Sequence, residues 1–337
     1  MRSALIREGK SERRTDMEPV QVRERAYKYD TIRAILIFLV IVGHCLMLFP
    51  DAKLRSIHRL IYSFHIPAFV FITGRFARFD RVKTLKHLVL PYFAFQLLYC
   101  CFDRAVLESQ DPIQFTTPYW IMWYLLAVSF FCLLIPMLPR KGARSFPFLI
   151  LGSVAVALAV GFDESVGKYM SLSRFFVFLP FFLLGYDWED VGERLERIQS
   201  KRWAGYALFL LALLLITLGE LYLIKTKVNK KILYSALCYV EAKGSVTDRA
   251  VFLLTAFGWI FLLERIVPNK KLPVLSTLGQ NTMPVYLLHG FAVRLAEKYE
   301  WFCFSQPVNF ALACLGAVLL LALFGNKYVG RLFHRIF

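Results

Sequence analysis

Within DTIRAILIFLVIVGHCLMLF, the first long apolar stretch of the chain, stand a guanidinium and an imidazole, Arg33 and His44. On an α-helix, with about 100° and 1.5 Å per residue, the eleven-residue step returns His44 to within about 20° of Arg33 and about 16 Å further along. They share a face. A central Arg costs about 2.5–3.5 kcal/mol to insert into a bilayer and less near an end, so ionisable groups in such a stretch usually face a polar interior and carry function. A neutral imidazole there can take a proton from a hydroxyl. The plain alternative has Arg33, close to the helix start, reaching back to lipid headgroups while His44 bonds a backbone carbonyl.

Two more stretches carry polar groups of the same kind. YSFHIPAFVFITGRFAR, residues 62–78, holds His65 and Pro67, with Ser63 and Thr73 placed to help satisfy a helix that Pro67 interrupts. His65 suits a hydrogen bond between helices and a place in a polar cavity equally well. Arg75, Arg78 and Arg81 follow at intervals of three, a broad cationic face on a helical extension beside Lys83 and Lys86. That array suits a multiply charged phosphate ligand, and it suits topology determination as well. LGQNTMPVYLLHGF, residues 278–291, places Thr282, Tyr286 and His289 at helical spacing as a polar stripe, interrupted by Pro284. The aromatic run WIMWY at 120–124 has the usual composition of an interfacial anchor.

The elements that must position these groups follow from composition. With 58% hydrophobic residues and 32 Phe, the chain does not fit a soluble domain of 337 residues. An all-α, polytopic membrane helix bundle is expected, with about ten spans near 31–49, 58–76, 86–102, 119–138, 146–161, 173–187, 203–224, 249–266, 274–296 and 307–326. The spans at 146–161 and 173–187 are short, and the pair also reads as one re-entrant unit. Basic residues collect on alternate connections: Arg13, Arg14, Arg23, Arg25 and Lys28 in the N-terminal arm, then Arg75 to Lys86, Arg140 to Arg144, Arg194 to Arg202, Arg265 to Lys271, and the tail from Lys327. The positive-inside rule puts these on one side and both termini in the cytoplasm. The segment 225–248 is discordant, because Lys225, Lys227, Lys230 and Lys231 fall on a connection that should be outside.

Residues 1–29 read as a basic cytoplasmic arm, disordered or interfacial, and residues 30–337 as one membrane domain. No cleavable signal peptide is recognisable, so the chain is expected to stay in the inner (plasma) membrane as a multi-pass protein. The net charge of +17 matches anionic inner-leaflet lipid and calls for no nucleic acid. The seven cysteines lie mostly in apolar spans without metal-ligand spacing and read as small buried hydrophobes, and no metal is expected. With the N-terminus inside, Arg33 sits near the cytoplasmic end of its helix, and His44 and His289 lie in the outer half. A passage with cations at its inner end and imidazoles further out would let an anionic donor enter from inside and meet an acceptor from outside.

DTIRAILIFLVIVGH resembles the Asp-x-x-Arg and Arg-x10-His signature that opens the acyltransferase-3 family of membrane O-acyltransferases. FHIPAFVFITG is similar to that family's second-helix segment, WIMWYLLAV to its Trp-rich helix, and LGQNTMPVYLLHG to its late Thr, Tyr and His segment. The resemblance runs from residue 28 to the tail and is nearest the fucose 4-O-acetylase-like branch. It implies acetyl transfer from cytoplasmic acetyl-CoA, a co-substrate, to a hydroxyl of a cell-surface glycan or lipid-linked sugar. His44 then matches the family's essential histidine and Arg33 its essential arginine. Arg75 with Arg78, or equally Arg78 with Arg81, matches its cytoplasmic Arg-x-x-Arg pair.

In such a reaction His44 would act as general base, an effect worth about 10²–10⁴-fold, or as a transient acetyl carrier. Arg33 would hold the donor, while Thr282, Tyr286 and His289 are candidate donors to the developing oxyanion and His65 a substrate contact. A transporter or flippase for a lipid-linked sugar is the competing class, although internal repeats and paired broken helices are not evident. A membrane scaffold is a third class and would leave the polar stripes without a role.

Overall fold

The computed structural model describes residues 26–49, 52–199 and 202–337, and among them every regular element is helical. The basic stretch 1–25, with Arg13, Arg14, Arg23 and Arg25, lies outside the described residues. In chain order the helices are α1 (Tyr27–Cys45), α2 (Ala52–Phe76), α3 (Arg81–Thr84), α4 (Leu90–Val106), α5 (Trp123–Leu134), α6 (Phe146–Ala159), α7 (Leu172–Tyr186) and α8 (Trp188–Gln199). They continue as α9 (Arg202–Lys225), α10 (Lys230–Tyr234), α11 (Tyr239–Ala242), α12 (Val246–Ile266), α13 (Pro273–Gln280), α14 (Thr282–Lys298), α15 (Gln306–Phe324) and α16 (Lys327–Ile336). A stretch of wider winding, Leu85–Val89, joins α3 to α4 without a break.

Five helical stretches are long and apolar enough to cross a membrane by length and composition: Arg81–Val106, Tyr169–Tyr186, Trp203–Lys225, Val246–Ile266 and Gln306–Phe324. Each of the other expected apolar segments is also largely helical, but polar groups, breaks or short length set it apart, the last for Trp123–Met137 and Phe146–Phe162. α1 carries Lys28, Asp30 and Arg33, and α2 carries Arg55, His58, Arg59 and His65. The segment expected as one span over 274–296 is two helices, α13 and α14, that meet at Asn281. Pro284 does not cause that break, since it lies in the first turn of α14, where a missing N–H costs nothing. The start of the expected span at 119–138 is a turn, and α5 begins only at Trp123.

α1 is the axis of the molecule, packed by α2, α13, α14 and α15, with Leu36, Ile37, Ile41 and Val42 buried. Its polar residues therefore face other helices, which is how a charged segment is kept from lipid. Helices α9 and α15 lie at the periphery and expose rows of leucine, Leu210, Leu211, Leu214 and Leu218 on one, Leu315, Leu319 and Leu323 on the other. Surfaces of that kind suit hydrocarbon rather than water. Of the cysteines, Cys45, Cys132 and Cys238 are buried as expected, whereas Cys101 and Cys303 are exposed.

Small residues set the closest crossings. A Cβ on Gly74 of α2 would lie 2.1 Å from the carbonyl oxygen of Phe182, and one on Gly185 of α7 would lie 1.9 Å from that of Phe71. Neither backbone could approach so closely with a larger residue at either position. Gly279 of α13 abuts α1 in the same way, 1.7 Å from a Cβ there to the carbonyl oxygen of Asp30. At the Arg33 end, Glu264 of α12 gathers three elements by accepting from Lys28 Nζ (2.6 Å), Tyr29 (3.2 Å) and Trp188 Nε1 (3.0 Å).

Candidate active site

His44 occupies the last turn of α1, where its ring meets three other helices or turns. Tyr62 of α2 lies with its hydroxyl 3.2 Å from His44 Nδ1, and its own O–H can donate to Met47 Sδ at 3.7 Å. With that proton given to sulfur, the Tyr62 oxygen accepts from Nδ1–H, and the lone pair of His44 falls on Nε2. Trp120 presses edge-on to the imidazole with ring centres 4.6 Å apart, and the His289 ring of α14 stacks on it at 5.5 Å. His289 donates Nδ1–H to the carbonyls of Tyr286 (2.8 Å) and Val285 (3.1 Å), and its buried Nε2 has no partner.

Two cavities converge on His44. The larger, about 270 Å³, runs along the α1 face from Arg33 through Ile37 and Val40 to His44, and Thr73, Thr282 and Tyr286 complete its wall. The face that the eleven-residue spacing predicted is thus the floor of a cavity. The smaller, about 130 Å³, also reaches the imidazole and is lined by Tyr62, His65, Trp120, Arg174 and Tyr234. His44, Ile66 and Trp123 belong to both walls.

The remaining sequence candidates take distinct positions. Arg33 lies 3.7 Å from Asp30 and 4.8 Å over the Phe76 ring, at the far end of the larger cavity from His44. Tyr286 donates its hydroxyl to the carbonyl of Ile121 at 2.5 Å, while Thr282 opens α14 at the cavity wall. His65 gives Nδ1–H to the carbonyl of Ile61 on its own helix at 2.7 Å, so it makes no bond between helices here, and its ring lines the smaller cavity. The basic array divides: Arg75 pairs with Glu189 at 2.9 Å, whereas Arg78 and Arg81 are exposed. Outside the bilayer region, Asp80 caps α3 by accepting from Lys83 N at 3.0 Å, and that bond lowers its pKa.

Sequence reasoning passed over Tyr62, Trp120 and Arg174. Tyr62 stands three residues before His65, a spacing that places both on one side of α2 and was available as a signal. By composition WIMWY reads as an interfacial anchor. In the structure it faces the cavities, with Trp120 against the His44 ring, Trp123 in both walls, and Tyr124 bonded to Thr73 at 2.9 Å. Arg174 had no motif around it to mark it.

A polytopic helical membrane protein with a cation-to-imidazole cavity along its central helix is the class that fold and site define. The chain belongs to the acyltransferase-3 family: the family's "Acyltransferase domain" model matches residues 27–325. It is similar to nodulation protein NolL of Mesorhizobium japonicum, 24% identical over 90% of this chain and 87% of that protein. No solved structure matches it. The protein is accordingly an acyltransferase, and neither the transporter nor the scaffold class describes it.

Proposed function

We propose that this protein is a multi-pass O-acetyltransferase of the inner (plasma) membrane. It moves an acetyl group from cytoplasmic acetyl-CoA to a hydroxyl of a cell-surface glycan or lipid-linked sugar, with His44 as general base. The observation that carries this is the position of His44 in a wall common to two cavities, one extending to Arg33 and the other away from it. About ten membrane-embedded helices with both termini cytoplasmic give these cavities their sidedness, as the alternation of basic connections supports. The larger cavity then faces the cytoplasm and the smaller one the outside.

The acetyl-pantetheine arm of the donor enters the larger cavity, whose wall runs from Arg33 to His44. The nucleotide phosphates stay at the cytoplasmic end, where Arg78 and Arg81 are exposed while Arg75 is engaged by Glu189. The register Arg78 with Arg81 therefore suits phosphate better than Arg75 with Arg78. Arg33 holds the donor further in.

From the smaller cavity an acceptor hydroxyl reaches His44. Its oxygen attacks the thioester carbonyl as Nε2 takes its proton, the C–O bond forms and the C–S bond breaks. His44 then returns the proton to the departing thiolate, giving the ester and free CoA thiol. Tyr62 serves by holding Nδ1–H, which leaves Nε2 basic. Thr282 has its hydroxyl at the cavity wall for the developing oxyanion, whereas the Tyr286 hydroxyl is committed to Ile121 and braces α14 against the 119–122 turn.

The test is transfer of labelled acetyl from acetyl-CoA to glycan in inverted vesicles, comparing wild type with His44→Ala at matched membrane expression. Alkali-labile label should fall by about 10²–10⁴-fold in the variant. Label in the variant near that of wild type would sink the assignment of the base.

A further inference from the structure

Arg174, at the N-terminal end of α7, is the cation of the smaller cavity. Its Nε donates to the Tyr234 carbonyl at 3.0 Å, and the guanidinium plane lies 4.6 Å over the Trp123 ring. These contacts fix the group without neutralising it. Among the described residues no acidic side chain lies within ion-pair distance of Arg174, and its two terminal nitrogens are left for whatever enters the cavity. Other arginines of the bundle differ. Arg75 has Glu189 and Arg294 has Asp103 and Glu297; the fully buried Arg249 also lies over an aromatic ring, Tyr239, without an acidic partner, but directs its terminal nitrogens to the carbonyls of Ala157 and Leu237. An uncompensated cation held over an aromatic ring beside a reacting imidazole is costly unless a ligand supplies the countercharge.

A second observation is independent of the first. The segment 225–248, whose lysines break the alternation of charge, covers this cavity: Leu233 and Tyr234 of α10 line it, and Ser173 donates to the Ser235 carbonyl at 2.9 Å. Tyr234 also meets His58 Nε2 at 3.2 Å, and Arg59 Nε donates to the Val228 carbonyl at 3.1 Å. Lys225, Lys227, Lys230 and Lys231 are all exposed around this cover, with Arg55 exposed on the adjoining start of α2. Exposed cations on the segment that walls a cavity holding a guanidinium raise the positive potential that an approaching anion meets. The discordant charge has a use at this place that topology does not explain.

We infer that the acceptor is anionic, carrying a phosphate or carboxylate oxyanion that Arg174 binds bidentately while the neighbouring sugar hydroxyl is presented to His44. Arg174 is then a specificity-determining residue that acts on the acceptor and leaves the donor untouched. This rests on the acetyl-transfer reading for the role of His44 but not for the binding itself. The shared chemistry is the oxyanion; its two sources are a diphosphate that links the sugar to a lipid and a carboxylate on the sugar.

The full-length protein in nanodiscs of neutral lipid is titrated with methyl β-glucoside, methyl β-glucuronide and a short-chain polyprenyl-diphosphate glucose. Binding is read by quenching of tryptophan fluorescence and by the thermal shift, and acetyl transfer from acetyl-CoA to each probe is measured alongside. At least one anionic probe should bind tenfold or more tighter than the glucoside, and the one that does so names the source. Arg174→Gln should abolish that ratio with the KM for acetyl-CoA changed less than twofold, and Arg174→Lys should keep part of it. Equal binding of charged and neutral probes would overturn the inference. So would a preference that survives Arg174→Gln and disappears on replacing the four lysines with glutamine, which would leave a surface effect alone. Arg174-dependent binding without transfer to any probe would uphold the anion site and count against the transfer reading instead.

Discussion

His44 is a weak base by itself, and what surrounds it decides what it can do. The Tyr62 hydroxyl stands 3.2 Å from Nδ1, where it is proposed to hold the N–H, Trp120 and His289 pack against the ring, and two cavities share it in their walls. Tyr62→Phe keeps the ring and removes the acceptor for Nδ1–H. One hydrogen bond of this kind is worth about 1 kcal/mol, so kcat should fall about five- to tenfold with the KM for acetyl-CoA little changed. Steady-state kinetics on the purified variant checks this, and an unchanged kcat would show that the tautomer is fixed by other means. At this scale the sequence was legible where spacing along one helix was enough, as for Arg33 with His44 and for Thr282 with Tyr286. It was not legible where the partner comes from another segment, as Glu189 does for Arg75 and Ile121 for Tyr286.

Helices carry these side chains to their places, and two glycine contacts set the geometry that matters most. Gly74 and Gly185 let α2 and α7 touch backbone to backbone, which brings His65 and Tyr62 on one helix alongside Arg174 on the other. A Gly185→Leu substitution has no room for its side chain and must push α7 away from α2. It should cost about 1–3 kcal/mol or more in stability, read as a lower thermal midpoint in detergent, and should lower activity in the folded fraction. Gly152 of α6 is the matching control, since a Cβ there meets nothing within 4 Å. Gly152→Ala should leave the midpoint unchanged or raise it slightly, because alanine is the better helix former by about 0.8–1.0 kcal/mol. Equal midpoints for Gly185→Leu and wild type would show that the crossing tolerates a wider separation. The α13–α14 break shows what apolar windows miss: 274–296 reads as one apolar span, yet Asn281 ends one helix and Thr282 starts the next.

For the whole molecule, direction across the membrane gives the two cavities their meaning. If the connections rich in Arg and Lys are cytoplasmic, the Arg33 end of the larger cavity faces acetyl-CoA, and the cover formed by 225–248 faces the acceptor. In a background with the exposed Cys101 and Cys303 replaced by serine, single cysteines at exposed Arg140 and Lys227 separate the two sides. A membrane-impermeant thiol reagent added to intact cells should label Lys227→Cys and spare Arg140→Cys, with the pattern reversed in inverted vesicles. Labelling of both from outside, or the opposite order, would reverse the passage and remove the proposed route of the donor.

Composition and periodicity by themselves determined that the chain is a bundle of apolar helices, that Arg33 and His44 share one face, and that the connections alternate in charge. Each of these depends on neighbours within one segment, whose relative positions a helix settles at 1.5 Å and 100° per residue. Tertiary structure alone decided that Tyr62, Trp120 and His289 close around His44, that Arg75 is spent on Glu189, and that 225–248 covers a cavity with Arg174 inside. Those contacts join residues far apart in the chain. They come from side chains packing across helices, where a glycine or a tryptophan at one crossing decides which polar groups meet, and no local spacing records that choice.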